Sequence, residues 1–223
     1  MTHKSKAIVI KSMRYSEADL IVKLYTQEHG LLSFLARGVL KTKKGKLRAS
    51  FFQIGNQLDV DYLVKNKTTL HSIKEVKPLE HYKDLNTSIL KCSLVTFIFE
   101  ILNQLLVENQ EDLSCYSFLE DALNWLDKNN QIALFHHYFL LRLTYFLGFF
   151  PTQEVYEYSL VNSNLDFLEF FPLLGINFDG LSELKMDKMS RKLLLNKILY
   201  YYKLNIPEFK EPKSLEVFEQ LFS

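Results

Sequence analysis

The amino-acid sequence predicts an α+β protein in which a small five-stranded barrel comes first and a mainly α-helical domain follows. Three observations carry this reading. The hydrophobic period changes from two residues to 3.6 just after Pro78. The charge is divided: residues 1–83 hold thirteen lysines and three arginines against seven acidic residues, a net +9, whereas residues 84–223 hold eleven Lys plus Arg against nineteen acidic residues, a net −8. The segment from Arg37 to Arg48 concentrates six cations and two glycines without one acidic residue, between two strand-like blocks.

Taken in order, Ala7 to Lys11, Leu20 to Thr26, Leu31 to Arg37, Gln57 to Val64 and Thr69 to Lys77 read as strands, rich in β-branched and aromatic residues. In the fourth, Leu58, Val60, Tyr62 and Val64 alternate with Asp59, Asp61 and Leu63, as a half-buried antiparallel strand requires. His29-Gly30 and Lys65-Asn66-Lys67 read as hairpin turns, where Gly or Asn tolerates positive φ. Beyond Pro78, Ile89, Leu90, Leu94, Phe97, Ile98, Ile101, Leu102, Leu105 and Leu106 trace the wide apolar face of one long helix. Residues 112–127 and 131–147 read as two more, the last stopped by Gly148 and Pro151, and three helices this close imply a bundle. Residues 152–186 are irregular, broken by Pro172, Gly175 and Gly180. Ser190 then reads as the cap of a helix through Lys203, and Pro212 introduces a short terminal one. The domain division is placed at 1–80 and 81–223.

Charge asymmetry of this size suggests a basic binding module joined to an acidic one. A loop that is all cation and glycine cannot pack as core, but it can follow a phosphate backbone, because each Lys or Arg that neutralises a phosphate releases condensed counterions. Arg14, Arg37, Lys41, Lys43, Lys44, Lys46 and Arg48 are therefore the candidate nucleic-acid-binding residues. Phe34, Phe51, Phe52 and Tyr15 are possible stacking partners for bases, although the phenylalanines also suit a barrel core.

Enzymatic readings find little support. Asp59 and Asp61 share a strand face and could in principle hold a divalent cation, as a nuclease would need, but alternating polar residues are also what a solvated sheet face requires. His136 and His137 are adjacent, so on a helix they point about 100° apart and cannot chelate one ion; a partly buried hydrogen-bonded pair is expected. No GxxxxGK[ST], GxSxG or metalloprotease histidine spacing occurs. Cys92 and Cys115, the only cysteines, cannot build a disulfide framework or a four-thiolate site, which suits a reducing cytoplasm. No signal sequence is evident, and the apolar runs near 94–107 and 135–150 are interrupted by polar residues before reaching membrane-spanning length.

In order, these features resemble the RecO family of bacterial DNA-repair and recombination mediators. The resemblance rests on Ala7-Ile8-Val9-Ile10-Lys11, on Tyr15-Ser16-Glu17-Ala18-Asp19-Leu20-Ile21-Val22, on Tyr25 to Leu31, and on Ala36-Arg37-Gly38-Val39 with its basic continuation. Leu141-Arg142-Leu143 and Leu147-Gly148-Phe149-Phe150-Pro151 extend it into the second half. It implies an N-terminal OB-fold barrel that binds single- and double-stranded DNA, a helical domain, annealing of complementary strands, and loading of recombinase onto DNA covered by single-stranded-DNA-binding protein. The implied partners are RecR and the acidic, hydrophobic C-terminal tail of that binding protein. No catalysis and no cofactor are implied, and the implied location is the cytoplasm, at the nucleoid. Many members carry a four-cysteine zinc motif after the Leu-Gly-Phe-x-Pro segment, but residues 152–186 contain no cysteine here. Apolar packing by Tyr156, Tyr158, Phe167, Phe170 and Phe171 is expected to replace the metal around an irregular β-hairpin outline. Two other classes remain open on the residues alone: an OB module for structured RNA, and a non-enzymatic scaffold whose cations serve an acidic protein.

Overall fold

The computed structural model describes residues 2–41, 47–64, 69–152 and 170–222. Five strands, β1 (Thr2–Arg14), β2 (Leu20–Thr26), β3 (Gly30–Ala36), β4 (Gln57–Leu63) and β5 (Leu70–Pro78), close into a barrel of order β1-β2-β3-β5-β4. Long β1 makes closure possible: its first half pairs antiparallel with β4, from Thr2↔Leu63 to Ile8↔Gln57, and its second half with β2, from Ala7↔Thr26 to Arg14↔Leu20. A register shift between Val9 and Lys11 marks the irregularity there, and bulges of this kind bend a strand. β3 and β5 meet in parallel, Phe34 opposite His71. This is the five-stranded OB-like barrel the sequence predicts.

β1 starts five residues earlier than its apolar run indicates. Thr2 to Lys6 are mostly polar because their outer face is solvated, while the backbone still pairs with β4. Inside the barrel, Val9, Val22, Phe34, Phe52, Val60 and Tyr62 are fully buried. Phe52 comes from a short 3₁₀ turn, Ala49–Phe52, between β3 and β4.

Two helices complete the first compact unit, which spans residues 1–127. The first, α1 (Ile89–Leu105), starts where the Ser88 side chain accepts from the Lys91 N–H, and it packs on β1. Its partner α2 (Leu113–Lys128) starts where Asp112 Oδ1 accepts from the Cys115 N–H at 2.9 Å. Near the other end of α2, Asp127 accepts from the N–H groups of Lys83, Asp84 and Leu85, and the buried Lys91 ammonium donates to the Asp127 carbonyl at 2.7 Å. Between the helices, Asn109 N–H donates to Leu31 O, so an extended segment runs beside β3. By compactness α1 and most of α2 belong to the unit that contains the barrel.

The second unit, residues 128–223, holds α3 (Phe135–Phe146), α4 (Phe171–Leu174), α5 (Lys188–Asn205) and α6 (Leu215–Phe222). α3 ends as its sequence signals: Gly148, at φ +81°, donates to Tyr145 O, and Phe149 N–H donates to Thr144 O, a Schellman closure followed by Pro151. Tyr202 of α5 donates its buried hydroxyl to Leu140 O at 2.7 Å, joining α5 to α3. The cap of α5 is one turn earlier than Ser190. Asp187 accepts from the Ser190 N–H and hydroxyl, because a carboxylate at the N-cap satisfies the first free N–H groups better than a hydroxyl one turn inside can. Phe170 is buried against Tyr201, whereas Tyr156, Tyr158 and Phe167 lie outside the described residues.

Candidate nucleic-acid interface

The strand register brings one end of three strands together. Arg14 closes β1 opposite Leu20, and Leu20 lies opposite Ala36, so Arg14 and the start of the basic segment at Arg37 share one rim of the barrel. The β1–β2 loop on that rim is an ordered turn. Tyr15 N–H donates to Asp19 O, and Ser16 Oγ accepts from the Ala18 and Asp19 N–H groups.

The same loop holds the basic segment in place. Gly38 N–H donates to Asp19 Oδ1 at 2.8 Å, Leu40 N–H donates to Ala18 O at 3.0 Å, and Val39 is inserted among the core residues. Anchoring Val39 inward turns its neighbours outward: Arg37 and Lys41 are exposed. Arg48, also exposed, lies over the ring of half-buried Phe51 at 5.5 Å where the chain re-enters the barrel. Lys43, Lys44 and Lys46 lie outside the described residues, as does the Lys65-Asn66-Lys67 turn.

Several other cations of this unit are engaged by carboxylates. Lys4 meets Asp59 at 3.2 Å, Lys6 meets Glu120 at 3.7 Å, and Lys23 meets Glu108 at 3.4 Å. Among the described residues no carboxylate pairs with Arg14 or Arg37, and the Lys41–Glu17 contact, 3.8 Å long between exposed side chains, is of the kind that contributes little.

Among the aromatics, Phe34 and Phe52 are barrel core, and Tyr15 is 62% exposed on the rim, placed to offer a ring face. Asp59 and Asp61 do share a face, and Asp59 is paired with Lys4 at 3.2 Å; hydrogen bonding to Asp59 raises the Lys4 pKa. His136 and His137 are fully buried, with ring centroids 3.9 Å apart. His137 Nε2 hydrogen-bonds the Arg191 carbonyl rather than its neighbour, and both rings are buried more deeply than the expected partly buried, hydrogen-bonded pair. Cys92 donates to Leu85 O, and burial pushes the Cys115 thiol up to about 11, which disfavours its thiolate form.

The family comparison agrees with this architecture. The model described as "Recombination protein O N terminal" matches residues 1–82, and "Recombination protein O C terminal" matches residues 86–155. The chain is 36% identical to the DNA repair protein RecO of Christiangramia forsetii over 98% of both chains. The chain belongs to the RecO family. To RecO of Flavobacterium psychrophilum it is 35% identical over the whole of both chains. A role in DNA repair follows from membership. In the RecO frame, the barrel end described above belongs to the N-terminal family region, and the Schellman-closed α3 to the C-terminal one. Among the described residues no helix is long and apolar enough to cross a membrane.

Proposed function

We propose that this RecO-family chain is a non-enzymatic recombination mediator of the RecFOR pathway, acting in the cytoplasm at the nucleoid. It binds single- and double-stranded DNA, anneals complementary strands, and helps load recombinase onto DNA covered by single-stranded-DNA-binding protein, with RecR as a partner. The observation that carries this is the barrel rim where Arg14, Arg37 and Lys41 stand exposed together with Tyr15, Arg48 being exposed over Phe51 where the chain re-enters the barrel. Phosphate contacts from such side chains are blind to sequence, as annealing of arbitrary strands demands. Annealing then proceeds by screening: cations offset phosphate repulsion while bases remain free to pair.

A pocket in the second unit supports the tail of the binding protein as a partner. Phe218, Phe222 and Leu195 supply apolar walls, and Lys188 and Arg191 supply cations, Lys192 being paired with Glu219 at 3.1 Å. That chemistry suits an acidic, hydrophobic peptide. Competition binding with single-stranded DNA, duplex DNA and RNA of equal length at several salt concentrations tests the reading. Salt-dependent binding of both DNA forms is expected. Preference for RNA would favour the RNA-binding alternative, and binding of none would favour a protein scaffold.

A further inference from the structure

The opposite, amino-terminal end of β1 carries a group of side chains outside the proposed DNA-binding rim. His3 near the start of β1 and Glu28 and His29 in the β2–β3 turn each offer one ligand atom, and the three atoms lie within 4.8 Å of one another. The turn is built rather than loose. Gln27 N–H donates to Lys6 O, Glu28 N–H donates to Ser5 Oγ, and His29 N–H donates to Thr26 Oγ1, which itself donates to the carbonyl of Gly30. These bonds fix the turn against β1, so the approach of His29 to His3 is set by the backbone.

Tyr62 orients both rings. Its hydroxyl and His29 Nδ1 are 2.8 Å apart, and its ring stacks on His3 with centroids 5.7 Å apart. When His29 Nδ1–H donates to the Tyr62 oxygen, Nε2 carries the free lone pair, the arrangement that aligns metal-binding histidines elsewhere. The His3 and His29 rings meet edge-to-face at 4.7 Å.

We propose that His3, Glu28 and His29 bind a first-row divalent transition ion, with Zn²⁺ the best match. Two imidazoles and one carboxylate are a zinc ligand set that leaves a fourth position for water. Imidazole nitrogens disfavour Mg²⁺ and Ca²⁺, which take oxygen ligands. Zinc bonds of about 2.0–2.1 Å place tetrahedral ligand atoms roughly 3.3 Å apart. Closing from 4.8 Å falls to the side-chain torsions of exposed Glu28 and of the two half-buried rings. The bound ion would join the first residues of β1 to the β2–β3 turn. It is unrelated to a four-cysteine motif, since its ligands lie on the barrel.

The test is titration of the full-length, tag-free protein with Zn²⁺ against a chromophoric chelator, and with Co²⁺ by visible absorption. One equivalent is expected, with tetrahedral cobalt bands and a raised thermal midpoint. His3→Gln/His29→Gln should abolish the stoichiometric step. Glu28→Gln, at an exposed turn position that leaves the fold intact, should weaken it at least about tenfold. No stoichiometric binding by the unaltered chain overturns the proposal. So does an equivalent retained by the double variant, or an unchanged affinity in Glu28→Gln.

Discussion

Removing the four described rim cations together, as Arg14→Gln, Arg37→Gln, Lys41→Gln and Arg48→Gln, isolates the electrostatic component of DNA binding. All four side chains are exposed and none fills the barrel core, so each substitution should change stability by less than about 0.5 kcal/mol. Loss of the Lys41–Glu17 contact adds little, because both partners are solvated. If each cation meets one phosphate, the slope of log affinity against log salt falls by about 0.7 per contact on a single strand and about 0.9 on a duplex. Four contacts amount to about 2.8 and 3.6. Between about 50 and 200 mM salt, the unaltered protein should therefore lose roughly fiftyfold more single-strand affinity than the variant, and over a hundredfold more on duplex. Fluorescence anisotropy with labelled oligonucleotides at four or five salt concentrations reads both slopes, and a thermal melt confirms the fold. Slopes equal within error for a folded variant would refute the placement of DNA on this rim.

Gly30→Ala should destabilise the first unit by more than the roughly 1–2 kcal/mol of a left-handed residue: φ is +65°, and a Cβ would stand 1.9 Å from the Gln110 carbonyl oxygen. The urea midpoint should fall at unchanged m-value. Asp127→Ala removes the acceptor for three backbone N–H groups and should cost about 2–3 kcal/mol near neutral pH. Burial opposes ionisation of Asp127, but these hydrogen bonds outweigh it and lower the folded pKa below 3.8, so the difference between parent and variant is full above that value and shrinks as pH falls through the folded one. Urea melts at about pH 3 and pH 6 check it. His137 is held neutral, its pKa pushed down from 6.5 to about 4 by burial with Arg191 nearby. An unfolded chain takes up this proton first, as it does that of the adjacent His136, which burial also holds well below 6.5, so stability of the second unit should fall as pH drops from 6.5 toward 4, and His137→Gln should make that limb shallower without removing it.

The strands were legible because their apolar residues alternate toward a closed interior, and the end of α3 because Gly148 and Pro151 both stop a helix. Residues 2–6 were less so, since a solvated edge that pairs only through its backbone leaves no apolar period. The placement of α1 and α2 in the unit with the barrel is tertiary information: an amphipathic face is visible in sequence, its partner is not. The rim cations could be named from local composition, but the stitching of Gly38 and Leu40 to the β1–β2 loop depends on hydrogen bonds across some twenty residues. His3 and His29 were missed as a pair because strand register, not spacing, brings them together; the only local sign was a histidine in a predicted turn beside glycine.

The central claim, that the barrel rim serves strand annealing, is tested most directly by mixing two complementary oligonucleotides, bare or coated with single-stranded-DNA-binding protein, and following duplex formation. The unaltered chain should accelerate annealing in both states, and the rim variant should lose most of that acceleration. A folded rim variant that anneals as fast as its parent, or a parent that gives no acceleration, would contradict it.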